Sequence, residues 1–292
     1  MNLMQLKYFL SVCEFGTVSA AADYLHIAQP SLSLAIKELE TEFGISLFYR
    51  THKGMRPTPE GELLLGMAKN ITDQVDATEK IMKDRGRNKH ILKLGIPPMI
   101  GALILPKLYR DFLSQNPDIQ LDIMELGKDE LVNLVSAGQL DAAFISHSKL
   151  QLAGVDSLHI DTLRILCCAA PENPITQKSA LTPKDLENTP LVMYKDGFFQ
   201  SSQIRNWFSA DFATPDVLIQ TNQLSTMLKV IASNTAVGFL FEQLAKQEHT
   251  LSAVALDPPI QAEVSLIWKK DRYSFSALET LKAYLKSKKL FA

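Results

Sequence analysis

The stretch from Leu3 to Phe43 constrains this chain most, because its apolar residues fall at the spacing of three short helices separated by tight breaks. Leu3, Leu6, Phe9, Leu10 and Cys13 recur every three or four residues, the period of an amphipathic helix that ends at Gly16. Ser19 is the expected N-cap of a second, Ala-rich helix, Ala20-Ala21-Ala22-Asp23-Tyr24-Leu25, whose small side chains admit a neighbouring helix closely. After a break at His26-Ile27-Ala28, a third helix is predicted from about Gln29 to Glu42, with Pro30 in the first turn, where a missing N–H is harmless. Winding it at about 100° per residue puts Leu32, Ala35, Ile36, Leu39 and Phe43 on the core side. Pro30, Ser33, Leu34, Lys37 and Thr41 then face away. Such a trio makes a helix-turn-helix, whose third helix enters the major groove of DNA. Periodicity alone fits a generic small helical bundle equally well.

The following residues sharpen the choice. Gly44-Ile45-Ser46-Leu47-Phe48-Tyr49 reads as a turn and a strand, and Met55-Arg56-Pro57-Thr58 can return antiparallel to it. Around Gly54, Arg50, His52, Lys53 and Arg56 occur with no acidic residue among them. Taken alone, such a cluster is most simply a solvated loop. Attached to a helix-turn-helix, it becomes a wing with a basic tip, placed to touch phosphates or the minor groove.

An ordered set of residues then carries a family likeness: Gln5-Leu6 with Phe9, Ser19-Ala20-Ala21-Ala22 with Leu25, and Gln29-Pro30-Ser31-Leu32-Ser33. Ile36 with Leu39-Glu40, Gly44 with Leu47-Phe48 and Arg50, and Thr58-Pro59-Glu60-Gly61 complete it. Together, without a gap, they resemble the N-terminal signature of LysR-type transcription regulators. The resemblance implies that Gln29, Pro30 and Ser33 face base edges, with Ser31 and Lys37 nearby and Arg50 and Lys53 on the wing. It also implies a homodimer or homotetramer on pseudo-palindromic double-stranded promoter DNA. Two positions depart from the pattern. Leu34 stands where the family often has a basic residue, and Ala35 where it often has Gln. Leu34 cannot donate to guanine or phosphate but can meet a thymine methyl, so operator preference does not transfer.

Thr58 is a fitting cap for a further helix, with Pro59 at its first position and Glu60 and Glu62 in its first turn. Leu64, Ala68, Ile71, Val75, Thr78 and Met82 form one stripe along it, while Gln74, Asp76, Glu79, Lys80 and Lys83 occupy other faces. A helix of roughly 25 residues with one apolar stripe calls for another helix. A core helix within the chain is the alternative. A dimerisation helix is preferred, because it presents two recognition helices one DNA turn apart. The polar, basic run from Asp84 to His90 reads as a hinge.

Beyond it the texture is that of alternating strands and helices. Strands are expected at Ile91–Ile96, Ile119–Glu125 and Asp141–Ile145, with helices at about Met99–Gln115 and Glu130–Ala137. A second unit begins near Leu163, with strands at Arg164–Ala169, Leu191–Tyr194, Val217–Gln220 and Val237–Phe241. Its helices fit Phe199–Phe212 and Leu224–Ser233. Val264–Trp268 and a last helix, about Ser274–Lys288, return to the first. Two α/β lobes joined by crossing strands resemble the periplasmic binding-protein fold that LysR-type effector domains share. Leu105-Pro106, Phe112, Asn116-Pro117-Asp118 and Gly138-Gln139-Leu140-Asp141 resemble that family's first lobe.

The expected fold is therefore α/β overall, with an all-α winged helix-turn-helix at residues 1–58 and a linker helix and hinge at 59–88. A two-lobed effector domain follows at 89–292, lobe I being about 89–162 and 266–292 and lobe II about 163–265. Ligands of open α/β sheets lie at the carboxyl ends of the strands. The first lobe offers Pro98, Met99 and Ile100 there, with Pro97, then Lys128 and Asp129 after Gly127, then Ser146 and His147. The second offers Tyr194, Lys195, Asp196, Gly197, Phe198, Thr221, Asn222 and Gln223. The helix starting near Met99 would aim free N–H groups at the cleft, as an anionic effector requires. Lys128 replaces the small hydroxyl residue frequent in the family and puts the usual carboxylate-binding arrangement in doubt. Taken singly, Lys128 and Lys195 are ordinary surface lysines.

Other classes fit less well. The 30 basic and 32 acidic residues, net charge −2, argue mildly against DNA binding by bulk charge but not against a local basic patch. A solute-binding protein would share the two lobes, but the N-terminus lacks the basic start, apolar run and cleavage site of a signal peptide, and the helix-turn-helix speaks against it. An enzyme would show a catalytic motif, and no P-loop, GxGxxG, GxSxG or HExxH occurs. His147 between Ser146 and Ser148 is no nucleophile–base pair, since strand neighbours point to opposite faces. Cys13, Cys167 and Cys168 match no disulfide or metal framework and suit a reducing cytoplasm. No cofactor or metal is expected. The partners are promoter DNA, a small-molecule effector, a second copy of the chain, and RNA polymerase as a further candidate, with no membrane.

Overall fold

Helix α1 (Leu3–Phe15) starts at a reciprocal cap: Gln5 N–H donates to the Asn2 side chain, and the Gln5 carboxamide accepts from the Asn2 N–H. Gly16, in the left-handed conformation, ends it. Helix α2 (Val18–Leu25) is capped by Thr17, whose hydroxyl accepts from Ala20 N–H at 3.2 Å. The cap expected at Ser19 therefore lies inside the helix, because the β-branched hydroxyl two residues earlier already has the extended backbone a cap needs. Helix α3 spans Gln29–Phe43. Leu32, Ile36 and Leu39 are buried as the periodicity predicts, but Ala35 is only half-buried and Phe43 is 41% exposed. Leu47 and Phe48 complete that core instead, with Phe9 and Phe48 ring centroids 5.2 Å apart.

The hairpin β1 (Phe48–Thr51) and β2 (Gly54–Pro57) pairs Arg50 with Met55 and Tyr49 with Arg56. Two polar contacts seat it. Met55 N–H donates to the Gly16 carbonyl at 2.7 Å, and the Glu40 carboxylate accepts from Leu47 N–H at 2.8 Å and Phe48 N–H at 3.3 Å. Gly54 has φ 123, and a Cβ there would stand 2.5 Å from the Gly16 carbonyl oxygen, so a side chain is refused twice over. Helix α4 (Pro59–Arg85) begins at buried Thr58, which donates to Ser46 O and accepts from Gly61 N–H. Its expected stripe divides. Ala68 is buried and Leu64 and Val75 half-buried, whereas Ile71, Thr78 and Met82 are exposed and are joined by Leu63 and Met67.

The second unit opens with β3 (His90–Ile96) and α5 (Pro98–Lys107). The helical run reaches Gln115 as expected, but one turn of it is not α-helical. Pro106 has no N–H to return to the preceding turn, and the chain loosens into a π-helical turn (Leu108–Phe112) before α6 (Leu113–Gln115). Strand β4 (Ile119–Glu125), helix α7 (Lys128–Ser136) and β5 (Ala142–His147) follow. Strand β6 runs from Val155 to Ala169, well beyond the expected Arg164 start. Then come β7 (Ala180–Leu181), β8 (Leu191–Tyr194), α8 (Phe199–Ala210), β9 (Val217–Thr221) and α9 (Leu224–Ala232). The chain closes with β10 (Gly238–Phe241), α10 (Glu242–Ala245), β11 (Ser252–Leu256), β12 (Ile260–Lys269) and α11 (Ser276–Ser287). The main sheet has the order β4-β3-β5-β12-β6-β11-β7, with β10 also on β6. Parallel β8 and β9 join this arrangement through a parallel bridge from Leu191 to Val237. Strands β6 and β12, antiparallel over ten residue pairs, thus carry the chain between an N-terminal half around β3–β5 and a second half around β8–β11.

This computed structural model describes residues 1–51, 54–85, 90–149, 152–270, 276–288 and 290–291. The chain separates into two units, residues 1–86 and 87–292. Lys53 and His52 of the wing tip and most of the expected hinge lie outside the described residues. Among those described, no helix is long and apolar enough to cross a membrane.

The two faces of α3 should separate in denaturation. Ile36→Ala removes a fully buried side chain and is expected to cost about 2–5 kcal/mol. Leu34→Ala, at 57% exposure, should stay within about 0.5 kcal/mol. Urea unfolding of both variants checks this, and equal losses would place Leu34 in the core.

Candidate DNA interface and effector cleft

On α3, Gln29, Pro30, Ser31, Leu34, Lys37 and Thr41 are exposed and Ser33 is half-buried, so the predicted groove face is a continuous surface. Ala28 caps the helix without a side-chain hydrogen bond, which leaves the positive end of the helix open to an anion such as a phosphate. On the hairpin Arg50 is exposed, and exposed Arg56, across from Tyr49, adds a second cation. Glu40 ties the first wing strand to the last turns of α3, so the helix and the wing are held in one register.

In the second unit, the ends of β3, β5, β8 and β10 border a cleft with about 350 Å³ of empty space, its open mouth included. The N-terminal half contributes Pro97, Pro98, Met99, Lys128 and Ser146; the other contributes Tyr194, Phe198, Phe199, Gln200 and Phe241. Helices α5 and α8 both begin here, after Pro97 and Phe198, and neither has a side-chain cap. Tyr194 and Phe198 stack with centroids 4.8 Å apart and planes 14° from parallel. Gln200 donates its carboxamide to the Phe239 carbonyl. At one edge the halves touch: Asp129 N–H donates to the Gly197 carbonyl at 3.2 Å, and a Cβ on Gly127 would stand 2.8 Å from that oxygen.

Pro97, Pro98, Met99, Lys128, Ser146, Tyr194 and Phe198 are thus gathered around the cleft, and the other expected residues are not. Ile100 is fully buried, since one step along α5 turns it into the core. Asp129 projects to solvent and offers the site only its backbone. His147 alternates away from Ser146 along β5. Lys195 is exposed past the end of β8. Thr221 ends β9 and Asn222 follows it, on a strand that pairs with β8 and does not border the cleft; the Thr221 hydroxyl accepts from Gln223 N–H. Phe199, Gln200 and Phe241 escaped the reading of strand ends because they sit in the first turn of a helix and at the end of an uncharged strand. The only available signal was the aromatic run Phe198-Phe199.

His147 is buried with its Nε2 2.9 Å from Ser265 Oγ and its Nδ1 3.7 Å from Glu263. Burial lowers its pKa, and Glu263 opposes that shift. Neither His147 nor Ser265 borders the cleft, so this pair joins β5 to β12 rather than meeting a ligand. Cys167 and Cys168 are buried in β6 opposite β10. Burial pushes the Cys167 thiol well up and that of Cys168 up to about 12, the opposite of a reactive thiolate. Cys13, half-buried, is likewise pushed up to about 12.

Residues 3–62 match the family model described as the bacterial regulatory helix-turn-helix protein, lysR family, and residues 85–289 match the LysR substrate binding domain. The chain therefore belongs to the LysR family of transcription regulators: a DNA-binding protein with an effector-binding domain, and not an enzyme. It is 26% identical over 297 residues to the uncharacterized HTH-type transcriptional regulator YwbI of Bacillus subtilis, covering 98% of this chain and 97% of that protein. A full-length OxyR from Pseudomonas aeruginosa shares the fold with a TM-score of 0.60 at 22% identity, over 98% of this chain and 99% of that one. Full-length CbnR, solved in complex with its target DNA, gives 0.59 at 19% identity, over 98% and 99%. Regulators of this family bind promoter DNA and small-molecule effectors and form oligomers.

Gly127→Ala must displace the Gly197 carbonyl and is expected to cost about 1–3 kcal/mol. Small-angle scattering should show a wider effector domain, and an unchanged profile with unchanged stability would remove the contact from the account. The lowered His147 pKa also has a sign. The neutral ring's contribution is complete above about 6.5 and is lost as pH falls toward the lowered value. The melting temperature should drop across that window more steeply in the wild type than in His147→Gln, and equal slopes would show that another group governs it.

Proposed function

We propose that this regulator reads a pseudo-palindromic operator as a homodimer and is switched by a small anion held between the halves of its second unit. In this reading residues 1–58 form the DNA-binding domain, 59–88 the linker and hinge, and 89–292 the effector domain, with lobe I at about 89–162 and 266–292 and lobe II at about 163–265. Gln29, Pro30 and Ser33 meet base edges; Ser31, Lys37, Arg50 and Lys53 engage phosphates or the minor groove. The exposure of that face of α3 beside a seated wing is the observation that carries the reading. Exposed Leu63, Met67, Ile71 and Met82 on α4 support pairing with a second copy, and two such dimers make the tetramer that the family likeness implies. Pro98, Met99, Lys128, Ser146 and Phe198 contact the effector, together with Tyr194 and Gln200. Asp129 acts only through its N–H. The protein works in the cytoplasm and passes its signal to RNA polymerase at the promoter.

Effector binding changes the closure of the two halves, and the dimer answers by altering the spacing or bending of bound DNA. Coupling of this kind is worth about 1–3 kcal/mol.

Binding of the full-length protein to the DNA upstream of its own gene, measured across a salt series, tests the DNA half of this reading. Gln29→Ala with Ser33→Ala should abolish preference for that DNA over random sequence, and affinity should fall steeply as salt rises. A double variant that keeps full site preference would move recognition away from α3.

A further inference from the structure

We propose that α3 reads a thymine in each half-site of the operator through its C5-methyl group, seated against Leu34. This inference rests on the α3 reading above and names one letter of the DNA together with the side chain that recognises it.

The first argument is position. At about 100° per residue, Leu34 stands within roughly 40° of diametrically opposite Leu32, Ile36 and Leu39. Those three are buried in the core of the first unit, so Leu34 occupies the middle of the face that the proposed duplex covers. It is 57% exposed and belongs to no apolar cluster among the described residues. An isolated leucine elsewhere on a surface needs no explanation. This one stands where a groove must close over it. Side chains of a helix lean toward its N-terminus, so Leu34 lies over the turn that carries exposed Pro30, and the two fall on one apolar strip.

The second argument is what the rest of the helix has already committed. The first turn of α3 holds no acidic residue, whereas Glu38, Glu40 and Glu42 all come after Leu34. Phosphates therefore favour the first half of the helix over the second. Polar side chains beyond Leu34 are also bonded within the protein. The Glu38 carboxylate accepts from the Gln5 carboxamide at 3.3 Å, and the Thr41 hydroxyl donates to the Lys37 carbonyl at 2.7 Å. The Glu42 carboxylate holds the Met1 ammonium. Base edges are left to the stretch from Gln29 to Leu34, and Leu34 closes it.

The third argument is chemical. In the major groove all four bases present hydrogen-bonding edges, and thymine alone adds a methyl group. Leucine neither donates nor accepts. Pressed on the N7 and O6 of guanine, or on the amino groups of adenine and cytosine, it removes their water and returns nothing. Against a thymine methyl the same contact buries apolar surface on both sides.

The test starts with full-length protein and a pool of randomised duplex DNA, from which bound sequences are enriched and read. A pseudo-palindromic site should emerge with thymine fixed at one symmetric position of each half. Uracil is then placed at that position, which keeps the base pair and removes only the methyl. Binding should weaken about fourfold for one half-site and about fifteenfold for both, as loss of one and two buried methyl groups does. Leu34→Ala should bind the thymine and uracil duplexes alike, and selection with it should lose that thymine and keep the other letters. A selected site with no symmetric thymine, a wild type indifferent to uracil at every such thymine, or a Leu34→Ala variant that keeps the wild-type sensitivity would each overturn the assignment. Leu34→Glu tells that failure from failure of the α3 reading. If uracil is neutral but Leu34→Glu abolishes binding to the selected duplex, α3 lies in the groove and only the methyl contact is wrong. If Leu34→Glu binds as the wild type does, or no sequence is enriched, the α3 reading falls and the thymine contact falls with it.

Discussion

The second unit depends on the pairing of β6 with β12. These two strands run antiparallel for ten residue pairs and are the backbone connection that both halves share. At one end β12 also pairs with β5, and at the other β6 takes β10 and β11. Every strand bordering the cleft is therefore fixed, directly or through one neighbour, to this ribbon. The register shifts between Val264 and Ser265, opposite the His147 side of β5. An irregularity of this kind increases local twist and gives a sheet a place to bend. The cleft and this irregularity thus belong to the same hydrogen-bonded ladder.

Much of this architecture was legible in the chain because each element repeats one physical signal. The apolar spacing of Leu6, Phe9, Leu32, Ile36 and Leu39 located α1 and α3, and their burial follows from it. Strands β4 and β8 matched their predicted limits since compact apolar runs bounded by turn residues leave little choice. Losses occurred where a local rule met a competing one. Thr17 displaced Ser19 as a cap, one turn of the helix after Pro106 loosened to π-helical while the run continued, and Phe43 kept its place in the period but lost its place in the core to Leu47 and Phe48. The first half of β6 mixes acidic residues and histidine with isolated apolar ones, so its strand character arises only from pairing with β12.

The cleft was harder to read for a geometric reason. Knowing which residues end the strands identifies a neighbourhood but not a direction. Adjacent residues share a neighbourhood but not a direction: Ser146 and His147 face opposite sides of a strand, and Met99 and Ile100 are turned about 100° apart on a helix. Strand order matters equally: Thr221 and Asn222 sit at a carboxyl end, yet β9 is the outermost strand on its side. Half of each local pattern is thereby excluded by information that exists only after the sheet is assembled.

Glu40 reaches past the turn at Gly44 to hold the backbone of Leu47 and Phe48, and Gly16 holds Met55 on the other strand. Fastened from both sides, the hairpin has no freedom to slide along a groove independently of α3. Where α3 meets base pairs and the wing meets phosphates as proposed, the distance between the two contacts is then set by the protein. Operators recognised by this chain can vary in their letters, but each half-site must keep one length, much as a vernier reads only marks cut at its own pitch.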